Sequence, residues 1–131
     1  MDITVGATYT HTTEVTPSQT ARVLGSGLVD VFATPMMIAF MELAASECIR
    51  PFLAPGQGSV GTSVNVTHDA ATPVGMKVTF TATVTAADRR RVDFHVEARD
   101  EAGKIGGGDH SRAVIDTEKF MARVEEKRSR C

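Results

Sequence analysis

The sequence predicts an α+β protein in which an antiparallel sheet wraps around one long central helix. The helix is predicted from residues 35–50, a segment that is apolar on nearly every side and therefore suits the interior of a fold. The sheet is predicted from stretches after residue 58, in which apolar and polar residues alternate at the period of a strand. With 131 residues, the chain has room for one domain, spanning 1–131, around a single core.

Composition and charge exclude several classes of function. The net charge is −2, so no basic surface for nucleic acid is expected. The longest apolar run, residues 36–41, is far too short to cross a bilayer, and residues 1–6 lack the basic start and apolar segment of a signal peptide. Cys48 and Cys131 do not make a disulfide framework. We therefore expect a reduced, cytoplasmic protein with no nucleic-acid or membrane partner.

The N-terminal part is predicted to be extended, and the central helix follows it. Residues 8–15 are rich in β-branched side chains and predict a first strand, and residues 19–24 are interpreted as a second short extended piece before the glycine-rich loop 25–27. Thr34 is predicted as the N-cap of the helix, with Pro35 at the first helical position. Pro51 ends the helix.

Four antiparallel strands and a terminal helix are predicted after residue 58. The strands cover residues 59–68, 76–86, 92–98 and 105–115, with a tight turn at 88–90. In the first of them, one face is predicted to carry Val60, Thr62, Val64, Val66 and His68. Residues 117–128 are predicted as a helix that docks Phe120 and Val124. A single sheet of this kind leaves exposed edges, so we expect a homodimer or a dimer of dimers.

Glu42 is the most informative residue, because it is the single charged side chain between residues 31 and 46. A carboxylate there is expected in, or at the edge of, the apolar core, where it is costly unless it is partnered or protonated. Such a setting makes a carboxyl group a usable base or nucleophile near neutral pH. The alternative is a structural carboxylate held by backbone or hydroxyl donors.

Thr34 and His68 complete a candidate constellation with Glu42. Thr34 lies eight residues before Glu42, on roughly the same side of the helix. His68 ends the predicted apolar face of the next strand, which can approach the helix within one chain or across a dimer. These groups suit hydrolysis of an activated acyl group, with Glu42 as base or nucleophile, His68 as proton shuttle and Thr34 as an orienting hydroxyl. The alternative for each residue is a purely structural role. Thr34 would then serve only as the N-cap of the helix, and His68 would only form a hydrogen bond to a loop carbonyl.

Cationic residues near the end of the chain have two interpretations each. His110 and Arg112 are two residues apart and are predicted to point to one side of the last strand. Arg112 has two interpretations: it binds a carboxylate or phosphate group of a ligand, or it forms a structural ion pair. Residues 89–91 are three arginines in a predicted turn. This cluster is interpreted either as solvated surface or as a site that binds a phosphate of a nucleotide-bearing substrate. Cys48 is interpreted as a small buried apolar residue.

Six blocks of the sequence recur, in the same order and spacing, in a family of enzymes. They are Val31-Phe-Ala-Thr-Pro35, Met41-Glu42, Pro55-Gly-Gln-Gly-Ser-Val-Gly-Thr62, Val66-Thr-His-Asp-Ala-Ala-Thr-Pro73, Ile105-Gly-Gly-Gly-Asp-His-Ser-Arg-Ala-Val-Ile115 and Glu118-Lys-Phe120. In these blocks, which span nearly the whole chain, the sequence resembles the hot-dog-fold thioesterases related to fluoroacetyl-CoA thioesterase.

The resemblance implies a homodimeric hot-dog fold that cleaves a short or medium acyl-CoA thioester to free acid and CoA. It gives catalytic roles to Thr34, Glu42 and His68, and substrate-binding roles to Gly61 and Arg112. It implies no metal and no cofactor other than the coenzyme A carried by the substrate.

The segment 24–31 departs from the family pattern, because it has no aromatic residue, whereas fluoroacetyl-selective members carry an aromatic-bearing lid there. This departure favours a general short-acyl or aryl-acyl substrate over a fluorinated acyl group. Two other functions are considered on the same fold. An enoyl-CoA hydratase places Asp and His in one loop, but His68-Asp69 lacks the usual spacing. A non-catalytic acyl-CoA-binding protein would keep the pocket and tolerate the loss of Glu42.

Overall fold

The computed structural model describes residues 2–131 and confirms the predicted α+β class. The strands are β1 (Thr8–Glu14), β2 (Gln57–His68), β3 (Lys77–Asp88), β4 (Arg91–Asp100) and β5 (Gly103–Asp116), and the helices are α1 (Ala21–Leu24), α2 (Thr34–Ile49) and α3 (Thr117–Ser129). The strands form one antiparallel sheet in the order β1-β3-β4-β5-β2, so β1 and β2 are its edges. Helix α2 packs against β1, β2, β3 and β4.

Helix α2 buries one face and not its whole circumference. The buried residues are Met37, Met41, Ala44, Ala45, Cys48 and Ile49, which lie against the sheet. On the other side, Pro35 and Ala39 are exposed, and Leu43 retains 38% of its accessible surface. The prediction of a helix buried all round is therefore wrong for the single chain, because one sheet face covers only one side of a helix.

The start of α2 also differs from the prediction. Ala33 occupies the N-cap position, with an extended backbone and no side-chain cap, and Thr34 is the first helical residue. Pro35 follows in the first turn, where its missing N–H would have had no partner within the helix. The Thr34 hydroxyl is therefore not used as a cap and is available to a neighbouring element.

The period-two alternation predicted for β3 and β4 is confirmed. The inward residues, each at most 1% exposed, are Val78, Phe80, Ala82 and Val84 of β3 and Val92, Phe94, Val96 and Ala98 of β4. Phe40 of α2 stacks on Phe80, with ring centroids 5.2 Å apart, and this contact ties the helix to the sheet. Burying one Val or Phe side chain stabilises the fold by about 1.5–3 kcal/mol. Strands β3 and β4 therefore contribute a large part of the hydrophobic stabilisation of the core.

A bulge in β2 changes which of its residues face the helix. The pairing with β5 shifts between Gly61 and Ser63, so Thr62 is an extra residue in the strand. Residues that are directly paired on neighbouring strands share a face of the sheet. Gly61 is paired with the buried Arg112 and therefore faces inward. Because the bulge adds one residue, His68 on its other side faces inward as well. The prediction that Val60 and Thr62 share the face of His68 is therefore wrong, whereas the alternation holds after the bulge.

The segment predicted as a second extended piece is a 3₁₀ turn, Pro17–Gln19, followed by α1. The Thr20 hydroxyl donates to Pro17 O at 3.0 Å and accepts from Val23 N–H at 3.4 Å, so it caps the short helix. Gly25 ends α1 with φ of 79°, a left-handed conformation that favours glycine. The capping bonds at Thr20 and the left-handed Gly25 therefore hold this segment in helical turns and not in an extended conformation.

Helix α3 confirms the predicted terminal helix but packs less than expected. Asp116 caps it by accepting the Lys119 N–H at 3.2 Å. Phe120 is half-buried, whereas Val124 is 41% exposed and does not dock. Over residues 2–131, the structure has no helix that is long and apolar enough to span a membrane.

Candidate active site

Thr34 and His68 form a hydrogen-bonded pair. Thr34 Oγ1 and His68 Nδ1 are 2.7 Å apart, and they join the first turn of α2 to the end of β2. The other ring nitrogen, His68 Nε2, is shielded from solvent and has no hydrogen-bond partner among residues 2–131. A buried ring nitrogen without a partner is costly, so His68 Nε2 is a site at which a water or a ligand can supply the missing bond.

A cavity of about 250 Å³ adjoins this pair. Its walls include Val31, Phe32 and Ala71, and Ser26 of the turn after α1 also lines it. Phe32 is 1% exposed and stacks near Phe40, with ring centroids 6.3 Å apart, so this wall is rigid and apolar. The space next to the Thr34–His68 pair therefore suits a small acyl group.

Glu42 lies at the edge of the core and pairs with a buried arginine. Arg112 Nη1 and Glu42 Oε2 are 3.4 Å apart. The Arg112 side chain is 7% exposed, whereas that of Glu42 is 41% exposed. Glu42 was predicted to lie either in the apolar core or at its edge, and the structure places it at the edge. The alternative of a structural carboxylate expected backbone or hydroxyl donors, whereas the observed partner is the Arg112 guanidinium.

Arg112 is held by several acceptors in addition to Glu42. Its Nε donates to Ser59 Oγ at 2.9 Å, its Nη2 donates to Ser59 O at 3.1 Å, and its Nη1 also donates to His110 Nε2 at 3.2 Å. Burial lowers the pKa of the Arg112 guanidinium, and the nearby Glu42 carboxylate opposes that effect. The planar fork of the arginine thus positions Glu42 against a rigid strand pair.

His110 is neutral in this network, and its tautomer follows from its partners. Nδ1–H donates to the Ser63 carbonyl oxygen at 2.8 Å, so Nε2 is free to accept from Arg112. Burial lowers the pKa of His110, and the Arg112 charge lowers this pKa further, while the bond to Ser63 and the charge of Glu42 oppose them. Protonation of His110 would place two like charges beside each other.

The lowered pKa of His110 predicts acid destabilisation of the fold. Because the unfolded histidine has a pKa of about 6.5, the stabilisation by neutral His110 is complete above that pH and is lost as the pH falls through the lower folded-state pKa. We expect the urea midpoint to fall between pH 7.5 and 5, and less so in His110→Gln. His95→Gln, which alters an exposed histidine, is the control. An equal loss in wild type and His110→Gln would contradict the prediction.

Gly61 leaves the space that Glu42 occupies. A Cβ added at Gly61 would overlap Glu42 Oε2 and would lie 3.2 Å from His110 Cε1. A side chain at this position would therefore force the Glu42 carboxylate away from the place where Arg112 holds it. The substrate-binding role that the resemblance implied for Gly61 stays a prediction.

The predicted site residues form two clusters in the single chain. Thr34 and His68 make the first, and Glu42, Gly61 and Arg112 make the second. Along the helix axis, Thr34 and Glu42 are separated by about 12 Å. Across residues 2–131, no hydrogen bond joins Glu42 to Thr34 or His68.

Ser59 and His110 were missed as members of the Glu42 cluster. The pairing of Ser59 with β5 and its bonds to Arg112 depend on strand register, for which the sequence carries no local signal. His110 was correctly placed on the same side as Arg112, and this spacing was the available signal. His95 is exposed and Cys48 is buried, as predicted.

Comparison with known proteins identifies the family of the chain. The sequence pattern of the fluoroacetyl-CoA-specific thioesterase family matches residues 15–118. The chain belongs to this family. The fluoroacetyl-CoA thioesterase of Streptantibioticus cattleyicolor is 43% identical over 129 residues, which cover 94% of this chain and 93% of that protein.

Solved structures confirm the hot-dog fold of this fluoroacetyl-CoA-specific thioesterase family member. One structure of the fluoroacetyl-CoA thioesterase FlK has a TM-score of 0.92 and 42% identity, covering 97% of this chain and 98% of the other. A thioesterase-superfamily protein from Thermus thermophilus has a TM-score of 0.91 and 34% identity, covering 98% and 96%. The prediction of a thioester hydrolase on this fold is therefore confirmed.

No three His, Cys, Asp or Glu side chains are grouped as metal ligands would be within residues 2–131. The histidines of the two clusters instead bond a hydroxyl, a carbonyl oxygen and a guanidinium.

Proposed function

We propose that the chain hydrolyses a short or medium acyl-CoA thioester to free acid and CoA, using Thr34, Glu42 and His68 as catalytic residues. The observation that carries the proposal is the Thr34–His68 pair, which lies beside a cavity of acyl size. The buried His68 Nε2 has no hydrogen-bond partner in the described part of the chain, residues 2–131. Gly61 and Arg112 are proposed to bind and orient the substrate next to Glu42. No metal or bound cofactor is included in the proposed chemistry.

The site is proposed to be completed by a second copy of the chain. The two clusters are too far apart on α2 to act on one carbonyl carbon, and β2 is a 12-residue edge strand. If two β2 edges pair antiparallel about a two-fold axis between Val64 and Asn65, Gly61 of one copy lies opposite His68 of the other. Exposure of 40% at Val64 supports an interface there.

The same dimer would cover the exposed side of α2. Leu43 is 38% exposed, and Pro35 and Ala39 are also exposed in the single chain. An apolar helix face of this kind is typical of a surface that is buried on association. We therefore favour a homodimer over a monomer, with a dimer of dimers as a larger assembly of the same unit.

Each residue has a distinct proposed step. Glu42 attacks the thioester carbonyl, which gives an anhydride that water cleaves, or it removes a proton from an attacking water. The backbone N–H near Gly61 or the N-terminus of α2 stabilises the oxyanion that develops. His68, oriented by Thr34, delivers a proton to the departing CoA thiolate. The products are the free acid and CoA.

The acyl group is proposed to be short or medium in length and not restricted to fluoroacetyl. The cavity of about 250 Å³ is bounded by Phe32, which cannot move without disturbing its packing against Phe80. Leu28, in the segment that corresponds to the family's lid, is 92% exposed and does not close the cavity in the single chain. FlK, a relative 42% identical, is a fluoroacetyl-CoA thioesterase, so fluoroacetyl-CoA belongs in the substrate panel.

A complementation experiment tests the shared site. We expect Glu42→Gln and His68→Asn each to be inactive as homodimers in a thiol-release assay with acetyl-CoA to decanoyl-CoA and fluoroacetyl-CoA. Co-expressed in equal amounts, they should recover about one quarter of wild-type activity, because half of the dimers then contain one intact site. Thr34→Val, which removes the hydroxyl partner of His68, should lower kcat with little change in KM.

Two outcomes would contradict the proposal. Absence of turnover on every acyl-CoA by the wild-type protein, together with tight acyl-CoA binding, would leave a binding protein. Turnover by the wild type without recovery in the verified heterodimer would place Glu42 and His68 of one chain in the same site.

We also propose that the protein works in the reducing cytoplasm. Cys48 and Cys131 are both free thiols. Cys48 is buried, with Sγ 3.4 Å from Ala7 O, and burial raises the pKa of this thiol, so it stays in the unreactive protonated form.

A further inference from the structure

Thr72 is a buried polar residue in the loop that connects β2 to β3. Its exposed fraction is 0%, whereas its neighbours Ala71 and Pro73 are both exposed. A threonine hydroxyl that is removed from water in this way is costly unless it has a hydrogen-bond partner. The inward position of Thr72 therefore depends on the partner that its hydroxyl finds in the interior.

That partner is the carboxylate of Asp100, at the end of β4. Thr72 Oγ1 donates to Asp100 Oδ2 at 2.8 Å. The other carboxylate oxygen, Oδ1, accepts from Ala102 N–H at 2.8 Å and from Gly103 N–H at 3.1 Å, so the turn between β4 and β5 fixes the carboxylate. A hydrogen bond to a charged acceptor is stronger than one between neutral groups. The loop is thus anchored to a rigid hairpin through one side chain.

The backbone around Thr72 holds one wall of the cavity of about 250 Å³ beside Thr34, which we call the acyl cavity. Thr72 O accepts from Phe32 N–H at 2.9 Å, and Pro73 forms a β-bridge with Val31. Val31 and Phe32 both line the acyl cavity, and Thr34 begins α2 two residues later. The segment that carries this wall and the Thr34 hydroxyl is therefore tied to Thr72.

The loop itself forms a further part of the wall. Residues 69–71, which lie between His68 and Thr72, line the acyl cavity. The first two of them donate their N–H groups to Ile105 O, at 2.6 and 3.2 Å. Backbone bonds thus fix the loop at its His68 end, and the side-chain bond of Thr72 fixes it at the other. Thr72 is the point at which the two wall segments, 31–32 and 69–71, are joined.

We propose that Thr72 is a positioning residue that limits the length of the acyl group, because its bond to Asp100 keeps the two wall segments at a fixed separation. The inference rests on the proposed acyl-CoA hydrolysis, for which it names the residue that sets the size of the acyl cavity. Without the hydroxyl bond, the loop can move away from Phe32, and the cavity then admits a longer chain. Thr72 acts through the wall segments, since its own side chain points to Asp100.

The selectivity between two substrates tests this role in the full-length protein. Thr72→Val keeps the shape of the side chain and removes the hydroxyl. The ratio of kcat/KM for acetyl-CoA to kcat/KM for octanoyl-CoA should fall about tenfold, as expected from losing a hydrogen bond to a charged group. Thr72→Ser, which keeps the hydroxyl, should retain the wild-type ratio. A purely structural role would lower the amount of folded protein, which reduces both rates by the same factor and leaves the ratio unchanged.

Two further variants complete the experiment. Asp100→Ala removes the acceptor from outside the loop and should shift the ratio in the same direction, so either Thr72→Val or Asp100→Ala is sufficient if the other does not fold. Thr79→Val is the matched control, because Thr79 bonds Thr12 at 3.0 Å between the hydroxyls of β3 and β1, away from the acyl cavity.

Binding of two CoA thioethers separates this inference from the proposed hydrolysis. S-ethyl-CoA and S-octyl-CoA have no thioester bond to cleave. Relative to S-ethyl-CoA, S-octyl-CoA should bind Thr72→Val about tenfold more tightly than it binds the wild type, whether or not any thioester is turned over. Ratios that are unchanged in Thr72→Val and Asp100→Ala, or that change equally in Thr79→Val, would overturn the inference and leave Thr72 with a role in folding alone.

Discussion

Replacing Glu42 with glutamine is expected to lower kcat for acyl-CoA hydrolysis by about a thousandfold, because the amide can neither accept a proton nor form an anhydride. The fold should tolerate the change. The Glu42 side chain is 41% exposed, and the amide oxygen of glutamine can still accept from Arg112. The measurement is thiol release from the substrate that the wild type hydrolyses fastest, with thermal unfolding as the check on folding.

Glu47→Gln is the matched control for this prediction. Glu47 lies on the same helix and pairs with Arg50 at 3.1 Å on the exposed surface, so its loss should affect neither kcat nor stability measurably. If Glu42→Gln kept more than a tenth of wild-type kcat, Glu42 would be a structural partner of Arg112 and not the catalytic carboxylate.

Replacing Arg112 with methionine is expected to lower the free energy of unfolding by about 2–3 kcal/mol, and to lower activity as well. The guanidinium donates to Ser59, His110 and Glu42, and methionine would leave these buried or half-buried acceptors without a donor. Loss of the arginine also releases Glu42 from the position beside Gly61. Urea unfolding at pH 7.5 measures the first effect, and kcat/KM measures the second.

The exposed pair between Arg91 and Asp93 provides the comparison. The Arg91 side chain is 71% exposed, so Arg91→Met should cost less than about 1 kcal/mol. Arg112→Lys should recover only part of the loss, because an ammonium group cannot reach both atoms of Ser59 together with Glu42. Equal stability losses in Arg91→Met and Arg112→Met would mean that the Arg112 network contributes no more than a surface pair.

These two substitutions separate the roles within one cluster. Glu42→Gln should abolish chemistry in a folded protein, whereas Arg112→Met should affect both folding and chemistry. The difference follows from burial, since the guanidinium is 7% exposed and the carboxylate is 41% exposed. A cation enclosed in this way has few alternatives to its protein partners, whereas the carboxylate is open to substrate.

The elements of the fold with a regular period could be read from the sequence. The alternation at Val78, Phe80 and Ala82 is confirmed by full burial, because a strand places successive side chains on opposite faces whatever surrounds it. The position of α2 was likewise predicted to within one residue at each end. Thr34, Glu42 and His68 were identified because each breaks an apolar pattern at a place where a polar group is costly.

The sequence by itself thus determined the class of fold, the order of its strands and long helices, and the residue types that we propose carry the chemistry, since these depend on local period and on the cost of burying polar groups. The tertiary structure decided which residues meet. The bulge at Thr62 turns Gly61 inward, and strand register brings Ser59 to Arg112. The bond between Thr34 and His68 likewise joins groups 34 residues apart. Contacts of this kind depend on pairing between distant segments, and no local pattern encodes them.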